Sequence, residues 1–227
     1  LRPKMRPAAN VAIAPDTPRP KPRPFFIAKN PDATVALSIL HPKLRPLGLG
    51  RQKATKKLSL KGSVCGNSAI RGQEIAPIRS QVKGCGIKEA VRVTEVDGIT
   101  LSPAATLNCS TAKAMDKWIK TSVQPTFGAD QVVRFQVAAS YSCRGRNNVK
   151  GARISEHGRG NAIDIAGFVL ANGTSLTVSR DYNKTLRKVH RGACGIFGTT
   201  LGPGSDGYHE NHIHLDVARY RGGAYCR

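Results

Sequence analysis

Alternating apolar and polar residues predict several strands after the first 60 residues. Residues 90–96 have the sequence Ala-Val-Arg-Val-Thr-Glu-Val, and this period of two is typical of a strand with one buried face. Asn172-Gly173 favours a tight hairpin turn between two further apolar stretches. The other predicted strands are residues 132–139, 163–170, 175–178 and 212–217. Their short lengths and turns favour a mainly antiparallel sheet.

Helical spacing of apolar residues predicts two helices between these strands. In residues 111–121 four apolar side chains fall on one face, and Ser110 is the expected N-cap. These four are Ala114, Met115, Trp118 and Ile119. Residues 181–190 predict a short helix with Leu186 and Val189 directed inward. This order of elements predicts an α+β fold, in which helices flank an antiparallel sheet.

The beginning of the chain differs in composition from the rest. Residues 1–61 contain 14 Lys and Arg, 10 of the 14 prolines and only two acidic residues, with no Cys, Trp or Tyr. Such a segment cannot bury enough apolar surface to offset the entropy lost on ordering. We therefore predict a disordered, basic, proline-rich linker at residues 1–60 and one domain at residues 61–227.

The formal net charge of +22 predicts attraction to polyanionic surfaces. Residues 1–61 contribute +12 of it. Solubility and nonspecific attraction alone would also explain such a charge. No recognised nucleic-acid-binding motif is present, so we expect no specific nucleic-acid partner. Anionic polymers of a cell envelope are the expected partners of the basic segment.

Six cysteines predict disulfide bonds and therefore an oxidising compartment. Their even number, wide spacing and lack of a CxxC pair favour disulfides over a cysteine-rich metal site. Spacing leaves the connectivity open, and the expected pairs are Cys65–Cys85, Cys143–Cys194 and Cys109–Cys226. No apolar run is long enough to span a bilayer, so no transmembrane segment is expected. These features favour a periplasmic or secreted protein.

Two short clusters contain four of the six histidines of the chain. They are Ser155-Glu-His157-Gly-Arg-Gly160-Asn-Ala162-Ile-Asp164 and His209-Glu-Asn-His212-Ile-His214-Leu-Asp216. On a strand His212 and His214 share one face, because the side-chain period is two. A glycine-containing turn lets His157 and Asp164 converge on one point. Two neutral imidazoles and a carboxylate satisfy zinc and leave a fourth position for water, so the clusters predict a catalytic-type zinc site.

These clusters resemble the motifs of a known superfamily. The first fits, at every defined position, the SxHxxGxAxD motif of the lysostaphin/D-Ala-D-Ala metallopeptidase/hedgehog superfamily, and His212-x-His214 resembles its HxH motif. The spacing of the last three histidines is similar to that of penicillin-insensitive murein endopeptidases. From about Cys65 to Cys226 the chain most resembles the bacterial extensin-like C-terminal domain family. The residues that carry this resemblance are Ser140-Tyr-Ser-Cys143-Arg144, Ser155-Glu-His157 and Leu201-Gly-Pro-Gly204.

The resemblance implies a role for each residue of the site. The implied ligands of one zinc ion per chain are His157, Asp164 and His214. His212 would act beside the water, His209 would be a further active-site histidine, and Arg144 would bind a substrate carboxylate. Ser155 is expected to form a hydrogen bond rather than to act as a nucleophile. The implied function is zinc-dependent hydrolysis of peptidoglycan peptide bonds, of the endopeptidase or carboxypeptidase type, in the bacterial cell envelope.

One position departs from the pattern of these relatives. Some of them carry a general-base glutamate three residues before the last zinc ligand, where this chain has Asn211, and Glu210 lies one residue earlier. His212 is therefore the expected base. The departure also supports an alternative, a non-catalytic zinc-containing protein that binds peptidoglycan or maintains the envelope. Glu156 is expected to be solvated, and Asp216 either orients a ligand imidazole or forms a surface salt bridge.

Overall fold

The computed structural model describes residues 62–227, so the linker predicted at residues 1–60 lies outside the described residues. The strands are β1 (Ser63–Val64), β2 (Asn67–Glu74), β3 (Ala90–Val96), β4 (Ile99–Asn108), β5 (Val132–Ala139), β6 (Ala162–Leu170), β7 (Ser175–Thr177), β8 (Thr199–Leu201), β9 (Ile213–Asp216) and β10 (Tyr225–Cys226). The helices are α1 (Cys109–Trp118), α2 (Gln124–Phe127), α3 (Val178–Asp181) and α4 (Lys184–Arg191). A π-helical stretch, Ile119–Val123, joins α1 to α2.

The ten strands form one mixed sheet. Their order is β1-β2-β3-β4-β5-β6-β9-β8-β10, and β7 pairs with β6. The α+β prediction is confirmed, and most strand pairs are antiparallel as expected, but β4–β5 and β8–β10 are parallel. The helices α1 and α2 lie between β4 and β5 in the chain, and this crossover returns β5 in the direction of β4.

One face of the sheet packs against the hydrophobic core, and the opposite face carries the polar residues of the candidate site. Ile163 and Ile165 of β6 and Ile213 and Leu215 of β9 are fully buried in the same hydrophobic cluster as Trp118 of α1. Because successive side chains of a strand point to opposite faces, the polar residues between these positions lie on the face away from that cluster. β6 and β9 thus bury apolar side chains on one face of the sheet. On the other face they carry Asp164, His214 and Asp216.

The predicted elements occur with shifted ends. The strands at 90–96 and 132–139 are confirmed at both ends, whereas the predicted last strand is shorter and is followed by β10. The first helix begins at Cys109, and its N-cap is Asn108, because the side-chain oxygen of Asn108 accepts a hydrogen bond from the backbone N–H of Thr111 at 2.9 Å. Ser110 is therefore not the N-cap. Within residues 62–227 no helix has the length and apolar character needed to cross a membrane.

All six cysteines form disulfides, but none of the three expected pairings is correct. The bonds are Cys65–Cys109, Cys85–Cys143 and Cys194–Cys226, with Cα–Cα distances of 5.3, 5.6 and 5.8 Å. Those distances are normal for a disulfide. The expected pairings were wrong because the sheet brings together cysteines that are not neighbours in sequence. The turn after β1, for example, lies against the start of α1.

A buried histidine of α4, His190, lies outside the sequence motifs. The Nδ1 atom of His190 is hydrogen-bonded to the hydroxyl of Tyr182 at 2.6 Å, and its Nε2 atom is buried without a partner. Burial lowers the pKa of His190 from 6.5 to about 4. The folded state therefore holds this imidazole in its neutral form.

Acidification should destabilise the fold through His190. The pKa of His190 is lower in the folded state than in the unfolded state. Neutral His190 therefore contributes to stability above about pH 6.5, and this contribution is lost as the pH falls towards 4. We expect the free energy of unfolding to drop by about 2 kcal/mol more between pH 7.5 and pH 5 in the wild type than in His190→Gln. Urea unfolding at both pH values, at equal metal occupancy, measures this difference. Identical pH dependence in the two proteins would contradict it.

Candidate metal centre

Strand register places two of the proposed ligands side by side. β6 and β9 pair antiparallel, and Asp164 lies directly across from His214 in that register. Both side chains are buried on the face of the sheet away from the hydrophobic cluster. The Oδ1 atom of Asp164 is 2.8 Å from the Nδ1 atom of His214. The pairing of β6 with β9 therefore positions two of the three candidate ligands.

A short 3₁₀ turn, Glu156–Arg159, supplies the third candidate ligand, His157. The hydroxyl of Ser155 accepts a hydrogen bond from the backbone N–H of His157 at 3.4 Å, which fits the expected non-nucleophilic role of this serine. The turn ends at Gly160, whose φ of 66° lies in the left-handed region. A Cβ atom at Gly160 would also collide with the side chain of Ile87. The motif thus requires serine and glycine for the shape of the turn.

The start of α1 fixes the position of this turn. The carbonyl of Gly160 accepts hydrogen bonds from the backbone N–H of Asn108 at 3.0 Å and from the hydroxyl of Thr111 at 2.9 Å. Asn108 is also the N-cap of α1, so one residue both begins the helix and holds the turn. The position of His157 consequently depends on the helix on the other side of the sheet.

Glu156 contributes to the same turn, and the expectation that it is solvated is wrong. It is only 7% exposed, because the 3₁₀ turn directs its carboxylate inward. That carboxylate accepts hydrogen bonds from Arg159 at 3.1 Å and from the side chain of Asn161 at 2.7 Å. Glu156 therefore stabilises the segment that connects His157 to Asp164.

His157, Asp164 and His214 form a buried group that could hold a metal ion. The Nε2 atom of His157 is 3.2 Å from Asp164 Oδ2 and 3.2 Å from His214 Nδ1. Ligand atoms that bind zinc tetrahedrally at roughly 2.0–2.2 Å are separated by about 3.3–3.6 Å. The two separations at His157 Nε2 are close to this range, whereas Asp164 Oδ1 and His214 Nδ1, 2.8 Å apart, are at hydrogen-bond distance.

Hydrogen bonds on the outer sides of the imidazole rings of His157 and His214 determine which ring nitrogens face the centre of the group. His157 Nδ1 must donate to the carbonyl of Ser140 at 2.7 Å, because a carbonyl only accepts. His214 Nε2 donates to Asp216 Oδ2 at 3.1 Å, so Asp216 orients a ligand imidazole instead of forming a surface salt bridge. In the neutral rings, His157 Nε2 and His214 Nδ1 then carry lone pairs that converge beside the carboxylate. Such an arrangement could hold a cation at its centre.

The electrostatics of the site favour a positive charge. Burial by itself would lower the pKa of His214, but its hydrogen bonds with Asp164 and Asp216 outweigh burial and raise the pKa to about 9. Burial would likewise raise the pKa of Asp164, yet hydrogen bonds from His157 and His214 hold it below the usual range. A proton can thus occupy the position that a metal ion would take.

His212 and His209 lie beside the group of His157, Asp164 and His214. The Nε2 atom of His212 is 3.6 Å from Asp164 Oδ2, and its Nδ1 atom donates to the side-chain oxygen of Asn211 at 2.7 Å. Burial lowers the pKa of His212, so the ring is neutral near pH 7. The ring centroid of His209 lies 5.0 Å from that of His212. Two histidines that are not in the ligand group therefore border it.

Asp206 was not predicted, and it fixes the ring of His209. Its Oδ1 atom is 2.6 Å from the Nδ1 atom of His209 and also accepts from the backbone N–H of Tyr208 at 3.0 Å. This contact directs the other nitrogen of His209 away from Asp206. No motif of the sequence indicates this contact, because Asp206 lies outside both histidine clusters.

The site opens into a cleft of about 710 Å³. Arg144, the expected substrate-binding arginine, lines this cleft. Residues that no motif indicated also line it, namely Arg146, Thr199, Asp206, Tyr208, Tyr220 and Tyr225. The volume lies in the range of ligand-binding pockets, so the metal group stands at the base of a space that can admit a substrate.

Comparison with known proteins identifies one family. The family described as extensin-like protein C-terminus matches residues 63–227. That range covers nearly all of the described residues and both histidine clusters. No curated protein and no solved structure matches the chain.

The ligand group can be tested by metal analysis. We expect the purified protein to bind one zinc ion per chain and His157→Ala to lose it, because two donors cannot hold the ion tightly. His212→Ala is the matched control, since it removes a neighbouring histidine without removing a ligand. Plasma mass spectrometry gives the stoichiometry. A chelator should lower the melting temperature of the zinc-loaded wild type and leave that of the metal-free protein unchanged. Equal loss of metal in both variants would refute this ligand set.

Asp216 should tune the affinity of the site without setting its stoichiometry. Asp216→Asn keeps a hydrogen-bond acceptor for His214 but removes a negative charge, so zinc affinity should fall about 10- to 100-fold. Asp206→Asn is the control, because Asp206 contacts His209 and not a ligand. Competition with a fluorescent chelator measures both affinities. Unchanged affinity in Asp216→Asn would show that this carboxylate does not support the site.

Proposed function

We propose that this chain, which belongs to the extensin-like protein C-terminus family, is a zinc-dependent hydrolase of peptide bonds in peptidoglycan. The observation that carries the proposal is the convergence of two imidazole lone pairs and one carboxylate at the base of an open cleft. The expected bond specificity is of the endopeptidase or carboxypeptidase type. Both would use the same site, because each hydrolyses an amide.

Zinc is the metal that fits this donor set best. Two nitrogens and one carboxylate oxygen are common ligands of catalytic zinc, and they leave a fourth position for water or substrate. The six cysteines of the chain are all in disulfides, so no thiolate competes for the ion. The two carboxylates near His214 add the negative charge that a divalent cation requires.

The residues around the ligand group supply the remaining catalytic functions. When bound, zinc supplies Lewis-acid activation of water and of a substrate carbonyl. The Nδ1 proton of His212 is donated to Asn211, so its unprotonated Nε2 atom, 3.6 Å from Asp164 Oδ2, would be available to accept a proton from water. His209, which Asp206 holds in one orientation, lies next to it and stabilises charge that develops on the substrate.

Arg144 gives the cleft a means of orienting a substrate. A guanidinium group binds a carboxylate through two parallel hydrogen bonds, which fixes both its position and its plane. No ion pair of residues 62–227 includes Arg144. A carboxylate of a stem peptide would therefore meet an available cation in the cleft that the ligand group also lines.

The proposed location is the periplasm or the exterior of a bacterial cell. Three disulfides are consistent with an oxidising compartment, where peptidoglycan is accessible. The basic segment at residues 1–61 would hold the domain against anionic envelope polymers, and no specific nucleic-acid partner is proposed. The domain would then act at a surface rather than as a freely diffusing enzyme.

A non-catalytic role is the second candidate, and Asn211 favours it. A carboxylate at that position would serve as a strong general base, whereas an amide cannot accept a proton. In this alternative the zinc site stabilises the domain and the cleft recognises peptidoglycan without hydrolysing it. The two candidates predict the same metal content but different fates of the substrate.

Digestion of purified peptidoglycan distinguishes them. The zinc-loaded protein should shorten stem peptides or open cross-links, which mass spectrometry of the muropeptides detects. His212→Ala should keep zinc and lose at least about 100-fold of the rate, as expected for removal of a general base. Glu210→Gln should keep the wild-type rate, because its carboxylate only accepts a hydrogen bond from the backbone of Gly204. A zinc-loaded wild type that sediments with the sacculi and cleaves nothing would favour the binding function.

A further inference from the structure

Exposed aromatic surface is concentrated at the cleft. Tyr208, Tyr220 and Tyr225 are 57%, 44% and 50% exposed, and all three line it. The other large hydrophobic side chains exposed in residues 62–227 are Val82, Val133 and Val149, and none of these lines the cleft. Aromatic side chains left in water around a concave site are typical of a binding surface.

The wall that carries two of these tyrosines is part of the folded domain. Tyr225 belongs to β10, which pairs with β8, and the Cys194–Cys226 disulfide ties this end to the segment after α4. Tyr220 lies in the same segment, and its hydroxyl accepts a hydrogen bond from Arg146 at 3.4 Å. The tyrosines are thus held in place on a wall that is separate from the metal ligands.

An unpartnered hydroxyl lies in the same wall. Thr199 pairs with Tyr225 in the β8–β10 register, lines the cleft and is only 7% exposed. Its Oγ1 atom is buried and has no hydrogen-bond partner among the described residues. Since a buried polar group without a partner costs free energy, a ligand that bonds to Thr199 would remove that cost.

We propose that this aromatic wall binds a saccharide ring, so that the preferred ligand is a peptide still attached to its sugar. This inference rests on the proposed function and specifies its substrate. A pyranose ring has an apolar C–H face that stacks on a tyrosine ring and hydroxyl edges that bond to Thr199 and to phenol oxygens. A bare peptide backbone would leave the exposed aromatic faces unused.

Charge and size support the same ligand class. Neither Arg144 nor Arg146 is in any of the ion pairs of residues 62–227, so both cations can meet acidic groups of an amino sugar with an attached peptide. A cleft of about 710 Å³ is more than one scissile peptide bond needs. The sugar would occupy the tyrosine wall while the peptide reaches the metal centre.

Paired ligands test this inference directly. One ligand is a disaccharide-linked stem peptide, and the other is the same peptide after enzymatic removal of the sugar. Calorimetric titration into zinc-loaded His212→Ala, which should not consume the ligand, compares their affinities. We expect the sugar-linked peptide to bind at least about tenfold more tightly, and Tyr225→Ala in this background to remove about fivefold of that preference.

Further variants separate stacking from damage to the fold. Tyr225→Phe should keep the preference, because it retains the ring, whereas Thr199→Val should reduce it at unchanged melting temperature. Val82→Ala, an exposed residue outside the cleft, is the control. Equal affinity for the two ligands, or a preference that Tyr225→Ala and Thr199→Val both leave intact, would overturn the inference.

The result is independent of turnover. Sugar-dependent binding without cleavage in the digest would refute hydrolysis and support the saccharide wall. Cleavage of sugar-free and sugar-linked peptides at equal rates, with equal affinities, would support hydrolysis and refute the wall.

Discussion

The buried carboxylate of Asp164, held between the imidazoles of His157 and His214, is the interaction on which the other features of the site depend. A buried charge without partners costs several kcal/mol, so the strands that carry Asp164 and His214 are constrained to one register. A slip of one residue would move Asp164 into the hydrophobic cluster and bring Ile163 to the cleft. The same pairing therefore specifies the apolar face of the sheet and the geometry of the candidate metal centre.

Much of the fold could be predicted where local pattern and final environment agree. The strand at residues 90–96 alternates because one of its faces is buried, and that pattern is visible in the sequence. The N-cap of α1 was misassigned because Ser110 and Asn108 are both good caps, and only the backbone conformation selects Asn108. Parallel pairing of β4 with β5 depends on the path of the chain through α1 and α2, which no local pattern encodes.

The candidate site also has one part that could be predicted from the sequence and one part that could not. Residues close together in the two motifs were predictable, because a turn and a strand of fixed period place them on one face. Thr199 and Tyr225 were not predictable, since they meet only through a two-residue pairing between β8 and β10. Glu156 was misjudged for a related reason: its burial comes from a 3₁₀ turn and not from a regular alternation. Sequence thus identifies the centre of the cleft better than its walls.

The connectivity of the disulfides has a consequence for biosynthesis. Cys65–Cys109 and Cys85–Cys143 interleave along the chain, whereas Cys194–Cys226 joins consecutive cysteines. In an unfolded chain the shortest loop closes most readily, so oxidation of the unfolded chain would join Cys65 to Cys85 first. Maturation then requires thiol–disulfide exchange to reshuffle that bond. A host without a disulfide isomerase should accumulate a form in which the four cysteines of residues 65–143 are mispaired while the Cys194–Cys226 loop is correctly closed.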